Sequence, residues 1–206
     1  MRPSFHTALC LSAALSLGLG GVAVAAAAKK PAAPAKPVAG APAWTVDKAN
    51  SKIRFKSAFS GMGFEGGFGR WDAQINFDPN NLPASKAVIS VELASVASGD
   101  ADRDETLPSA DWFNVARFPR AVFTTTAITA AGPGKYNAAG TLSLRGVTKP
   151  IVLPFTLVIT GDTARMTGQV VLNRSNFGVG QGQFRTPDTV PYEVTVPVTV
   201  VAKRAG

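Results

Sequence analysis

Apolar and polar residues alternate along the second half of the chain. Every second residue from Ile151 to Ile159 is Ile, Leu or Phe, and the same two-residue period recurs over 164–173 and 192–200. A period of two is typical of a β-strand that buries one face. The pattern therefore predicts three strands in this half of the chain.

Weaker runs of the same kind predict five earlier strands, at 53–59, 64–77, 86–93, 121–129 and 136–144. Gly and Pro turn signals separate the predicted strands. The exception is 101–115, where apolar residues fall at helical intervals and Ser98 or Asp100 offers an N-cap. We predict an all-β fold of eight antiparallel strands with a short helical insertion between the third and fourth.

Eight antiparallel strands are expected to close into a barrel, because open strand edges promote aggregation. A barrel of this size holds packed side chains or one small ligand. The sequence pattern does not decide between a packed interior and one that holds a ligand.

The first residues of the chain have the pattern of a secretory signal. A single charge at Arg2 precedes the apolar run 8–28, and Ala23-Val24-Ala25 supplies the small-x-small pattern of a signal-peptidase site. We predict a signal peptide over 1–28 and export to the periplasm. The alternative is an uncleaved anchor, because the run is about as long as the ~20 residues that span a bilayer.

Residues 29–43 are rich in Ala, Pro and Lys and predict a linker, which leaves 44–206 as one folded domain. The chain has a formal charge of +8, but its 13 acidic residues all lie in the domain and four basic residues precede it. The domain is therefore only about +4, and its basic residues are scattered. This argues against a nucleic-acid partner and allows transient contact with an anionic membrane surface.

The catalytic chemistry available to the domain is limited. The only histidine, His6, and the only cysteine, Cys10, lie in the predicted leader. Their loss excludes a Ser-His-Asp triad, a cysteine nucleophile and the usual zinc and haem sites. A calcium loop starting at Asp100 is disfavoured, because Glu105 stands where the tight turn needs glycine. We expect a binding protein with no catalytic residues, metal or cofactor.

Several short motifs, in this order and spacing, resemble the YceI-like family across nearly all of 44–203. They include Gly66-Gly67-Phe68, Arg103-Asp104-Glu105-Thr106-Leu107-Pro108-Ser109-Ala110-Asp111-Trp112-Phe113, Phe118-Pro119, Gly146-Val147-Thr148-Lys149-Pro150 and Asn173-Arg174-Ser175-Asn176-Phe177-Gly178.

The resemblance implies a lipocalin-like barrel, usually periplasmic, that holds a long polyisoprenoid or another amphiphile in its bore. The ligand would be an isoprenoid quinone, a prenyl pyrophosphate or a similar lipid, bound by a monomer or homodimer. One rival is an envelope protein for stress or respiratory assembly with a packed barrel. The less favoured rival is an enzyme that modifies such lipids.

Alternation along the strands, with aromatic residues from the motifs, predicts which side chains line the bore. Glycines within the strand patterns, such as Gly66 and Gly140, favour an open bore by leaving room or marking bulges. The predicted ligand-binding residues are Phe55, Phe68, Trp71, Ile89, Val91, Leu93, Trp112, Phe113, Phe123, Leu142, Leu153, Phe155, Met166, Val170, Leu172, Arg174, Phe177 and Val196.

Two arginines are candidates for a ligand head group. Arg174 lies an even number of residues after Met166 and Val170, so it is predicted to face the interior as they do. A guanidinium suits a pyrophosphate or carboxylate. Alternatively, Arg174 bridges a carboxylate or reaches the barrel rim. Arg103 is expected either to pair with Asp104 or to contact the head group. The Gly-rich stretch 173–189 forms either a lid or a plain connection.

The small-x-small motif sets the expected processing site between Ala25 and Ala28. N-terminal sequencing of the protein from the cell envelope should therefore start within or just after this stretch. A sequence that starts at Met1 would show that the leader is retained.

Overall fold

The computed structural model describes residues 40–205, which contain eleven strands and one α-helix. The predicted leader and linker residues 29–39 lie outside the described residues. The strands are β1 (Ala43–Val46), β2 (Lys52–Phe59), β3 (Met62–Phe68), β4 (Trp71–Asn76), β5 (Lys86–Glu92), β6 (Val96–Ala97), β7 (Arg120–Gly132), β8 (Lys135–Leu144), β9 (Val147–Thr160), β10 (Thr163–Asn173) and β11 (Glu193–Arg204).

The helix is α1 (Ala101–Thr106), between β6 and β7. Four short 3-10 turns complete the regular structure, at Leu82–Ala84, Leu93–Ser95, Arg174–Phe177 and Gly182–Phe184.

The eleven segments make eight antiparallel runs. β1 and β2 lie one after the other along β11 and form one run. β3 pairs with β2 and β4 pairs with β1, so β3 and β4 form the second run. β5 pairs with β4 and β6 pairs with β3, so β5 and β6 form the third run. Three interrupted runs and the five continuous strands β7 to β11 therefore form the meander of eight strands that the sequence predicts.

The meander closes because β11 pairs on both sides. One edge of β11 bonds β10 from Thr163↔Lys203 to Asn173↔Glu193, and the other bonds β1 and β2. The fold is a closed eight-stranded antiparallel barrel, as predicted.

Three predicted elements are broken or shorter than predicted, and several strands extend up to four residues beyond their predicted ends. The predicted strand 64–77 is interrupted at Gly69 and Arg70, whose backbone groups bond Ser95 and Glu92 across the break. The predicted strand 86–93 ends at Glu92, because Leu93 begins a 3-10 turn.

The predicted helix 101–115 ends at Thr106. Asp100 caps its start as expected, since its side chain accepts a bond from the backbone amide of Arg103. Pro108 has no N–H with which to extend the helical ladder, and the chain continues through turns to Phe118.

Inward-facing residues of the strands form two neighbouring hydrophobic clusters. One contains Trp44, Trp71, Phe77 and Leu153, and is built by the main wall of the barrel. The other contains Phe55, Trp112, Phe177 and residues of the loops at one end of the barrel. The segment after α1 and the loop 174–191 therefore contribute to the core as well as joining strands.

Two neighbouring residues of β9 provide a test of which face is inside. Leu153 is 8% exposed, whereas Val152 on the opposite face is 51% exposed. Leu153→Asp should lower the free energy of unfolding by about 3 kcal/mol or more, because it buries an unpaired charge. Val152→Asp should change it by less than about 0.5 kcal/mol. Urea unfolding of both variants measures the difference, and equal losses would contradict the assignment.

Candidate functional site

An apolar cavity of about 630 Å³ occupies the barrel. Its wall consists almost entirely of aliphatic and aromatic side chains from every strand except β6 and from the end loops. All eighteen residues that the sequence predicts as ligand-binding lie in this wall. Their role in binding a ligand stays a prediction.

Glycines in the barrel wall accommodate the rings that line the cavity. A Cβ on Gly66 would clash with the ring of Phe55, and a Cβ on Gly140 would clash with Phe123 and the carbonyl of Thr124. These glycines were expected to leave empty room or mark bulges, and the register of β7 and β8 does shift beside Gly140, between Thr125 and Ala127. The missing side chains also let the Phe55 and Phe123 rings approach the strand backbone closely.

The rings on the β2–β3 side form a continuous aromatic wall. Ring centroids lie 5.7 Å apart for Phe55 and Phe68, 6.3 Å for Phe55 and Phe64, and 6.0 Å for Phe68 and Phe113. Such tilted and edge-on contacts suit the aromatic quadrupoles. The wall therefore offers a rigid apolar surface to a ligand chain.

Trp44 and Phe77 lie where β1 meets β4 and β11. The indole Nε1 of Trp44 donates a 2.9 Å hydrogen bond to the backbone oxygen of Phe77. The Phe77 ring packs edge-on against Tyr136, which stacks on Phe155. These contacts fill one end of the barrel with side chains.

Arg174 organises the loop segment 174–191. Strand β10 ends at Asn173, so its alternation of inner and outer residues stops there. Arg174 itself begins a 3-10 turn. The side chain is buried, with the residue only 4% exposed, and its Nε, Nη1 and Nη2 donate to five backbone carbonyl oxygens. The acceptors are Val179 at 2.9 Å, Gly180 at 3.5 Å, Thr186 at 3.0 Å, Val190 at 2.7 Å and Pro191 at 3.0 Å.

This arrangement is a correction to the head-group hypothesis for Arg174. A guanidinium has five N–H donors, and all five already have backbone acceptors here. Burial lowers the pKa of Arg174 from its usual value, as desolvation of a cation does. Although Arg174 lines the cavity, its donors hold the loop and are not available for a phosphate or carboxylate.

Two loops pack together over this end of the barrel. The backbone amides of Gly180 and Gln181 donate to the carbonyl oxygen of Asp111, and the Trp112 and Phe184 ring centroids lie 5.0 Å apart. Arg145 also donates to the Ala110 carbonyl at 2.7 Å. The Gly-rich stretch is therefore a cap bonded to the segment that follows α1.

Polar residues of α1 lie at the edge of the cavity. Asp100, Asp102, Arg103 and Thr106 contribute to its lining, and the first two and Thr106 are exposed. Arg103 pairs with Asp100 at 3.5 Å, and the expected pairing with Asp104 is not observed, because Asp104 accepts bonds from Ser98. We call this region the α1 mouth, defined by these four residues and by Ser57, Phe59 and Phe64 of β2 and β3.

Several lining residues were missed by the sequence analysis. Ser57 and Phe59 share the parity of Phe55, so the two-residue period of β2 would have found them. Leu107, Val179 and Val190 lie in loops, where no period marks the inner face.

Among residues 40–205, no cluster of three His, Cys, Asp or Glu side chains is arranged to hold a metal ion. Within the same range, no helix has the length and apolar character needed to cross a bilayer.

Arg174→Lys tests the structural role of this arginine. Lysine has three donors in place of five and no planar fork, so backbone oxygens would be left unpaired. We expect the free energy of unfolding to fall by about 3 kcal/mol, and cleavage by a protease within 174–191 to increase. Arg165→Lys, on the exposed face of β10, is the control and should change neither. Unchanged stability and proteolysis of Arg174→Lys would contradict the role.

Comparisons with known proteins agree on one family. The model of the YceI-like domain matches residues 44–202. A UPF0312 protein of Pseudomonas syringae pv. tomato is 33% identical over 150 residues, which cover 69% of this chain and 78% of the relative.

Two solved structures show the same barrel. The crystal structure of Burkholderia cenocepacia BcnA matches with a TM-score of 0.74 and 32% identity, over 77% of this chain and 99% of BcnA. A domain from Saccharophagus degradans, described as a polyisoprenoid binding domain implicated in plant cell wall breakdown, matches with a TM-score of 0.64. It is 14% identical and covers 80% of this chain and 99% of its own, so this likeness concerns the fold. With its barrel, its motif order and a family match over nearly the whole described domain, the chain belongs to the YceI-like family.

Proposed function

We propose that this protein is an exported carrier that holds a long-chain isoprenoid lipid, or a similar amphiphile, inside its barrel. The observation that carries the proposal is the apolar cavity of about 630 Å³. Protein interiors are otherwise close-packed, and an empty apolar void destabilises a fold in proportion to its volume. A ligand chain would restore the missing contacts.

The size and lining of the cavity suit a lipid chain. Ligand sites usually measure about 300–1,000 Å³ and are mostly apolar with few polar groups. Each CH₂ group moved from water into such a site contributes about 0.8 kcal/mol. The aromatic wall of Phe55, Phe64, Phe68 and Phe113 adds flat surfaces against which methyl-branched units can pack.

The named neighbours support this proposal through fold alone. The Saccharophagus degradans domain is described as binding polyisoprenoids, and it shares the barrel at low identity. Which lipid this chain carries, and its passage through the periplasm, are parts of our proposal. Export rests on the signal pattern in residues 1–28.

The arrangement of charges favours binding over catalysis. The carboxylates that line the cavity, Asp100 and Asp102, are exposed at the α1 mouth, and apolar side chains form the deeper wall. A lipid-modifying enzyme needs acid, base or nucleophile groups beside the reacting atoms. The rival hypothesis, an envelope protein whose barrel is packed with side chains, would not explain a cavity of about 630 Å³.

Transient contact with a membrane surface stays a prediction. The β2–β3 hairpin exposes Phe59 and Met62 beside the cavity, at 43% and 71% of their surface. Exposed apolar side chains at a cavity mouth are suited to touch lipid. Loss of co-sedimentation with vesicles in a Met62→Asp variant would support this contact, and unchanged co-sedimentation would argue against it.

Two adjacent residues of β10 test whether the cavity is the binding site. Val170 lines the cavity, whereas Val171 faces solvent and is 54% exposed. Val170→Trp should fill the space that a lipid chain needs and weaken binding of geranylgeraniol at least about tenfold, or ~1.4 kcal/mol. Val171→Trp adds the same side chain outside and should leave binding unchanged.

Tritiated geranylgeraniol and gel filtration measure both affinities, and circular dichroism checks that both variants fold. Equal binding by the two variants would show that the lipid does not enter the barrel.

A further inference from the structure

Five charged side chains reach the lining of the cavity: Lys86, Asp100, Asp102, Arg103 and Arg174. Arg174 is occupied by five carbonyl oxygens. Lys86 is exposed and has the opposite strand parity to Ala87 and Ile89, which face inward. The cation best placed to meet a ligand head group is therefore Arg103.

Arg103 is held in a fixed position with donors to spare. Its guanidinium lies over the Phe64 ring at 3.9 Å from the centroid, and its Nε donates to Ser98 Oγ at 2.9 Å. Nη2 lies 3.5 Å from Asp100, while Nη1 has no hydrogen-bond partner among residues 40–205. The side chain is 24% exposed. Stacking and one anchoring bond thus present free N–H groups at the α1 mouth.

Ser57 provides a second, independent polar group there. Its Oγ is buried and has no hydrogen-bond partner within the described part of the chain. Ser57 lies directly opposite Phe64 in the β2–β3 pair, so its side chain shares a face with the ring that carries Arg103. A buried hydroxyl without a partner is costly, and an oxygen of a ligand would satisfy it.

The charge around Arg103 opposes an anionic head group. Asp100 and Asp102 line the same mouth, so its three charged groups sum to one negative charge. A diphosphate would bring two or more further negative charges to this position. An uncharged oxygen, as in an alcohol or a quinone, can accept hydrogen bonds from Arg103 and Ser57 without that repulsion.

We infer that the α1 mouth selects amphiphiles with an uncharged, oxygen-bearing head group over phosphorylated ones, and that Arg103 and Ser57 bind that oxygen. The inference rests on the proposed function and adds the class of head group. It assigns head-group recognition to Arg103 of α1 and Ser57 of β2 in place of Arg174.

The test compares geranylgeraniol with geranylgeranyl diphosphate, which share one tail and differ in the head. The wild-type protein should bind the alcohol more tightly. Ser57→Ala and Arg103→Gln should each weaken the alcohol about three- to tenfold, as expected for the loss of a hydrogen bond. Thermal unfolding separates a loss of binding from a loss of fold.

A second experiment removes the negative charges of Asp100 and Asp102 at the α1 mouth. The double variant Asp100→Asn, Asp102→Asn keeps a capping side chain at position 100 and removes two negative charges. It should strengthen diphosphate binding about three- to tenfold and change alcohol binding by a smaller factor. Glu105→Gln is the matched control, since Glu105 is on the same helix but outside the lining, and it should have little effect.

The outcomes distinguish the two proposals. If the wild type binds both lipids equally, or binds the diphosphate more tightly, the head-group inference is wrong and the carrier function stands. The inference is also wrong if Ser57→Ala and Arg103→Gln leave the alcohol affinity unchanged. If the folded protein binds neither lipid, both the carrier function and the inference are overturned.

Discussion

The hydrogen-bonded closure of β11 against β1 and β2 is the constraint on which the other features depend. Once the sheet closes, the two-residue period gives every strand one face inside and one outside. Apolar residues at alternate positions must then surround a common interior. The cavity, its lining and the exposed outer face of Val152 and Val171 all follow from this closure.

Closure alone would also allow a packed interior, and two further features shape the space that remains. Gly66 and Gly140 let the Phe55 and Phe123 rings lie against the wall. Arg174 ties together a Gly-rich loop that Phe177, Val179 and Val190 also anchor in the core. A buried charge is costly unless its donors are satisfied, so the guanidinium and the loop carbonyls stabilise each other. The result is a capped barrel with an apolar interior.

The sequence predicted the parts that repeat and missed those that depend on tertiary contacts. Periodicity found eight strands and the inner face, because both are local consequences of the strand geometry. It could not find the break at Gly69 and Arg70, which depends on bonds to Ser95 and Glu92 across the sheet. Parity placed Arg174 at the cavity, but its partners come from a loop with no period, so the sequence left its role open. Ser57 was within reach of the parity argument and was overlooked because it is polar.

On the function proposed above, a lipid occupies the barrel when the protein is in its native host. Native mass spectrometry of protein purified from its own host, with the lipid released and fragmented, measures this most directly. We predict one bound molecule per barrel, with the fragment series of a repeating isoprenoid chain and an uncharged oxygen-bearing head. Protein that is folded and free of lipid in every preparation would contradict the account and favour a packed or empty barrel with another role.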